Sequence, residues 1–206
     1  MARHEGLYNA IIQGRRNDVK SIVEAEVRQG GDIRALLQES MIPAMREVGE
    51  RFSRNEVYVP EMLIAARAMQ AGLDIVEPLL ARAGHKAPAR VCIGTVKGDL
   101  HDIGKNLVAM MVRGAGYEVV DLGVDCSAAK FKSAVADGAS IVMVSALLTT
   151  TMPYMKEVIK ALSGDHVKIL VGGAPVTREY AKEIGAHGYA EDAASAVRAV
   201  EGVVAA

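Results

Sequence analysis

An aspartate and a histidine stand two apart in GTVKGDLHDIGKN, residues 94–106, between a run that reads as a strand and one that reads as a helix. An imidazole that ligates a metal or moves a proton needs one ring nitrogen held as N–H by an acceptor, which leaves the other lone pair free. Asp99 can be that acceptor for His101. Spacing alone equally allows a solvated loop histidine beside an incidental aspartate. The place matters, because loops at the carboxyl ends of strands carry the ligand sites of α/β sheets.

Gly94, Gly98 and Gly104 raise the possibility of a phosphate cradle. Their spacing does not follow G-x-G-x-x-G, although Asp121 ends the next strand, and GDLHDIGKN has no Gly-Lys-Ser/Thr in register. No second His, Cys or carboxylate lies at ligand spacing, so a zinc site built by the protein is not supported. A metal on His101 would have to take most of its other ligands from a cofactor. Two further signals fall in neighbouring loops. Gly172-Gly173 removes side chains where a bulky group could approach the backbone, or is an ordinary turn. Ser145, Thr149, Thr150 and Thr151 offer hydroxyls at the same sheet edge, or cap the helix that follows.

Two kinds of periodicity position these residues. From residue 4 to about 82, apolar residues recur at three- and four-residue steps in LYNAIIQG, DVKSIVEAEVRQG, DIRALLQESMIPAMREVGERF and VPEMLIAARAMQAGLDIVEPLL. These predict a four-helix bundle, with Asp18 and Asp32 as N-caps and Pro60 in a first helical turn. ARAGHKAPAR, residues 81–90, turns small and charged and reads as a linker. The expected division is a helical domain at 1–82, a linker at 83–89 and an α/β domain at 90–206. In the last part five apolar strand runs alternate with five helical runs. That pattern predicts a doubly wound, five-stranded parallel sheet of flavodoxin-like (Rossmann-like) order.

Bulk composition narrows the field. Half of the 206 residues are hydrophobic and 4% are aromatic, which suits helices and parallel strands better than an aromatic-rich sandwich. A formal charge of −1 makes no electrostatic case for nucleic acid or a membrane surface. Cys92 and Cys126 form neither a metal spacing nor a disulfide framework, and Cys92 reads as a small core residue. The start lacks the apolar stretch of a signal peptide and no run approaches a membrane span, so a cytoplasmic location is expected.

Asp99-Leu-His101-Asp-Ile-Gly104, then Ser145-Ala-Leu147, then Gly172-Gly173 resemble, in order, the D-x-H-x-x-G, S-x-L and G-G signature of cobalamin-binding domains. In that family the lower-axial base leaves cobalt, the motif histidine replaces it, and the detached nucleotide tail threads beside the Gly-Gly. The resemblance implies that His101 is the cobalt ligand, Asp99 its hydrogen-bond partner and Thr151 an extension of that relay. It implies that Gly98, Leu100, Asp102, Ile103 and Gly104 contact the cofactor. Ser145, Leu147, Thr149, Gly172, Gly173 and Ala193 would line the tail. VGERFSRNEVYVPEMLIAARAMQAGLDIVEPLL is similar to the helical cap of methionine synthase and of small corrinoid proteins of methyltransferase systems. There an aromatic and an aliphatic side chain shield the upper corrin face. Phe52 and Val59 match those positions, with Val where Leu is common.

The resemblance covers nearly the whole chain and implies a corrinoid shuttle. One partner, a substrate:corrinoid methyltransferase, would place a methyl group on cobalt, with an O-demethylase, methylamine or methanol system as the setting. A second methyltransferase would pass it to tetrahydrofolate or coenzyme M, and a reductive activase would restore the cobalt. The chain has no room for a substrate barrel and is expected not to complete catalysis alone. The alternatives are a cobalamin-dependent regulator and the cobalamin subunit of a mutase. Missing DNA-binding features weigh against the first, and the cap-like RFSRNEVYVPEM against the second.

Overall fold

The computed structural model describes residues 3–205. The chain divides into two compact units: one runs to Ala87 and includes Arg113–Gly116, and the other comprises Pro88–Val112 and Tyr117 onward.

The first unit is helical: α1 (Glu5–Ile12), α2 (Arg16–Arg28), α3 (Ile33–Ala35), α4 (Ile42–Ser53) and α5 (Val59–Arg82). Leu7, Ile11, Val19, Val23, Met45, Met62 and Met69 are buried, as the three- and four-residue steps require. Asp32 caps α3, its carboxylate accepting the Ala35 N–H at 3.0 Å. Asp18 is not a cap. It lies inside the first turn of α2, whose N-cap is Arg15, and pairs with the Arg15 side chain. The run read as one helix from residue 32 to 52 contains a π-helical stretch, Leu36–Met41, between α3 and α4. Pro43 follows it, and proline lacks the N–H of an uninterrupted α-ladder and crowds the carbonyl one turn earlier. Pro60 sits in the first turn of α5, where that N–H would have had no helical partner anyway.

The second unit alternates β1 (Arg90–Thr95), α6 (Ile103–Gly114), β2 (Glu118–Asp121), α7 (Ala128–Ala136), β3 (Ile141–Ser145), α8 (Tyr154–Ala161), β4 (Lys168–Gly172), α9 (Arg178–Glu183), β5 (Gly188–Ala190) and α10 (Ala193–Ala205). The sheet is parallel throughout, in the order β2-β1-β3-β4-β5, as expected for a flavodoxin-like fold. Its strands are almost wholly apolar because helices cover both faces. Register then aligns the working edge. Thr95 pairs with Ser145, Ser145 with Gly172, and Gly172 with Ala190. The loops after β1, β3, β4 and β5 therefore leave the sheet from one row.

Candidate cofactor site

Two of those loops converge on one carboxylate. Asp99, in the loop between β1 and α6, is fully buried. Its Oδ1 accepts from His101 twice, from ring Nδ1 at 2.7 Å and from the backbone N–H at 3.1 Å. Its Oδ2 accepts from the β3–α8 loop: the Leu147 N–H at 2.8 Å, the Leu148 N–H at 3.3 Å and the Thr151 hydroxyl at 2.7 Å. Burial pushes the Asp99 carboxyl up, but the Leu147 N–H, the Thr151 hydroxyl and the two His101 donors outweigh it. They hold it well below the usual carboxylate range.

An ionised carboxylate can only accept, so His101 Nδ1 carries a proton, and in the neutral ring the lone pair is then on Nε2. The His101 side chain is 50% exposed while that of Asp99 is fully covered. The Thr95 hydroxyl donates to the His101 carbonyl at 2.9 Å, which ties the peptide of the ligand candidate to the end of β1. Thr151 does not cap α8, whose N-cap is Pro153 with no side-chain bond. Its hydroxyl belongs to the Asp99 cluster instead.

Around the imidazole the surface is apolar and open. Leu100 is 73% and Ile103 76% exposed, and Leu147 and Leu148 are also exposed. Gly104 has nothing within 4 Å of where a Cβ would sit. Gly98 has φ of +83°, so the turn into Asp99 favours glycine for backbone reasons. Gly172 and Gly173 answer to the chain itself. A Cβ on Gly172 would lie 2.7 Å from the Ala190 carbonyl oxygen, and one on Gly173 would lie 1.9 Å from that of Ala146. Gly173 also has φ of +127°. The pair thus permits backbone-to-backbone approach at the β3, β4 and β5 edge. Ser145 is half-buried, Thr149 exposed, and Ala193 buried at the start of α10. Asp102 accepts from the Asn106 side chain at 3.0 Å and is exposed. In the helical unit, Phe52 is half-buried near the end of α4 and Val59 is 40% exposed at the start of α5.

Three participants carry no motif that the sequence displays: the Leu148 N–H, the Thr95 hydroxyl, and Lys105. The Lys105 ammonium is buried and lies 2.6 Å from both oxygens of Asp121. Asp121, at the end of β2, is therefore occupied by a lysine and is not the free ribose acceptor of a dinucleotide site. A cation in the first turn of a helix opposes the helix dipole, which was a legible signal that Lys105 has a tertiary partner.

Among the described residues no group of three or more His, Cys, Asp or Glu side chains could hold a metal ion. A single half-exposed imidazole with its tautomer set suits a metal whose remaining ligands belong to a macrocycle, and the apolar rim suits the ring. The B12 binding domain matches the sequence over residues 89–198, and a second B12 binding domain matches residues 3–77.

The chain belongs to the B12-binding corrinoid proteins. Its cofactor is a cobalamin. A corrinoid protein of Desulfitobacterium hafniense is 38% identical over 205 residues, covering 96% of this chain and 95% of the relative. The dimethylamine corrinoid protein of Methanosarcina barkeri is 38% identical over 199 residues, covering 93% and 92%. Among solved structures, the methanol:cobalamin methyltransferase complex MtaBC of Methanosarcina barkeri contains a chain that is 30% identical with a TM-score of 0.86. The match covers 97% of this chain and 78% of that one. A cobalamin-binding protein of Desulfitobacterium hafniense is 28% identical with a TM-score of 0.77, covering 95% of each chain. Among the described residues of this corrinoid protein, no helix is long and apolar enough to cross a membrane.

Proposed function

We propose that this corrinoid protein holds cobalamin base-off through His101 Nε2 and carries a methyl group between two methyltransferases. The observation that carries the reading is the Asp99–His101 pair, a buried ionised carboxylate fixing Nδ1–H on a half-exposed ring. Bound cobalamin supplies a cobalt centre that takes up and gives up methyl groups.

The chain's own residues do the rest. His101 would offer the Nε2 lone pair to cobalt, and Asp99 fixes the ring's orientation and its Nδ1–H. The Leu147 N–H and the Thr151 hydroxyl keep Asp99 charged and in place as the acceptor for Nδ1–H. Leu100, Ile103 and Leu147 are apolar and exposed and would exclude water at the ring. Gly98, Asp102 and Gly104 complete the contact loop, and Ser145, Thr149, Gly172, Gly173 and Ala193 are assigned to the nucleotide tail. Phe52 and Val59 are assigned to the upper face, with residues 83–89 as the hinge that exposes it.

The donor-side partner is a substrate:corrinoid methyltransferase of the methylamine or methanol kind. This is supported by relatives named dimethylamine and trimethylamine corrinoid proteins and by the likeness to a chain of a methanol:cobalamin methyltransferase complex. The acceptor-side partner uses tetrahydrofolate or coenzyme M, and a reductive activase completes the system. The test is electron paramagnetic resonance of the Co(II) state with ¹⁵N-histidine. Wild type is expected to show coupling to one histidine nitrogen, and His101→Ala none. Coupling that persists in His101→Ala overturns the ligand assignment. Unchanged photolysis of methylcobalamin bound to Phe52→Ala would remove the cap role.

A further inference from the structure

Asp125 is exposed, yet its backbone is in the left-handed region, with φ of +51°. Residues other than glycine seldom adopt it, and Asp and Asn do so most readily. The residue lies between β2 and α7, outside the loop that carries His101. From there it makes two bonds to that loop. Its carboxylate accepts the Gly98 N–H at 2.7 Å, and its own N–H donates to the Asp99 carbonyl at 3.1 Å. The left-handed turn lets one residue offer a side-chain acceptor and a backbone donor to neighbouring peptides. The stitching begins closer to the sheet. Thr95 N–H donates to the Gly123 carbonyl at 3.0 Å, and Cys126 N–H donates to the Thr95 carbonyl at 2.9 Å. Asp125 is the outermost stitch, and it falls on Asp99.

Asp99 is therefore held from two sides. The β3–α8 loop holds its side chain, and the β2–α7 loop holds its carbonyl and the N–H of Gly98 before it. We propose that Asp125 is a positioning residue for the Asp99–His101 pair: its carboxylate holds the Gly98 N–H, its own N–H holds the Asp99 carbonyl, and the two together keep the Nδ1–H···Oδ1 bond aligned. The functional consequence rests on His101 being the cobalt ligand; the alignment itself does not. An exposed carboxylate in a left-handed turn has no core role that would explain it otherwise.

Three substitutions separate side chain from turn. D125N retains an oxygen acceptor and tolerates the turn, D125G retains only the turn, and D125A retains neither. The full-length protein without cobalamin is labelled with ¹⁵N-histidine, and the hydrogen-bonded Nδ1–H proton of His101 is followed by NMR with its exchange rate. Wild type and D125N are expected to show a protected signal, and D125G and D125A an exchange-broadened one. With added cobalamin, D125G and D125A are expected to bind about 10-fold more weakly, the low end for partners that orient a metal ligand. The nitrogen-coupled fraction of their Co(II) spectrum should fall as well. If D125A fails to fold, D125G decides the outcome, since glycine accepts this φ without strain. A D125G protein with wild-type Nδ1–H protection overturns the proposal. Should wild type itself lack nitrogen coupling, the ligand reading fails while the cobalamin-free NMR still decides the role of Asp125.

Discussion

Two aspartates at neighbouring strand ends each face a partner that can carry positive charge, and they do so in opposite senses. At the end of β1 the carboxylate is inside and the imidazole outside: the Asp99 side chain is fully covered and that of His101 is 50% exposed. At the end of β2 the cation is inside, with the Lys105 side chain 1% exposed and that of Asp121 41% exposed. The buried member differs in what else supports it. Asp99 accepts from Leu147, Leu148, Thr151 and a backbone N–H besides the ring, so it is satisfied without its histidine. Lys105 has Asp121 and the Asn106 side chain, and only Asp121 brings opposite charge. The His101 ring can therefore move without stranding the carboxylate, whereas the Lys105 pair is committed to holding the start of α6 against β2. The proposed cobalt ligand belongs to the first arrangement.

The largest effect is expected from stranding the buried cation. Asp121→Ala should cost about 3–5 kcal/mol in urea unfolding, the range for leaving one half of a buried pair uncompensated. Asp99→Ala should follow at about 3 kcal/mol, because the Leu147 N–H and the Thr151 hydroxyl lose a charged acceptor together. A third buried group, the Cys92 thiol, has no charged partner, and burial pushes its pKa up to about 12. The folded state then keeps a proton that the unfolded state loses above pH ~9, so stability should fall as pH rises from about 9 toward 12. That loss is about 1.4 kcal/mol at pH ~10. Urea unfolding of Cys92→Ala at pH ~8 and ~10 should show this increment missing, and an equal drop in both proteins would refute it. The smallest effects should come from Lys105→Met and His101→Ala, each about 1 kcal/mol or less, since what remains is solvated or already hydrogen-bonded. A His101→Ala cost as large as that of Asp99→Ala would collapse the contrast between the two pairs.

Much of the site was legible because its signals are local. Asp99 and His101 are two apart in one loop, a spacing that allows the carboxylate to reach the imidazole, and it does. Strand runs of continuous apolar residues separated by helical runs left little choice but a covered parallel sheet. The role of Asp125 and the identity of the Lys105 partner were not legible, since a left-handed turn at a non-glycine and a salt bridge across sixteen positions leave no period in the sequence. Gly172-Gly173 was visible but its physical reason was not. The crowding comes from the carbonyls of Ala190, at the end of β5, and Ala146, just past β3, both distant in sequence.

By itself the sequence determined the element order and the buried faces, because periodicity, turn residues and short spacings act over a few positions, and the resemblance of its three motifs to cobalamin-binding domains added the cofactor class. Tertiary structure alone decided which way each charged pair faces. Parallel register brings the Leu147 N–H and Thr151 to a carboxylate about fifty residues earlier in the chain, and their donors keep Asp99 charged while His101 stays at the surface. Burial and donor count are properties of packed neighbours, so the step from a histidine beside an aspartate to an exposed imidazole oriented by a buried carboxylate was made by the fold.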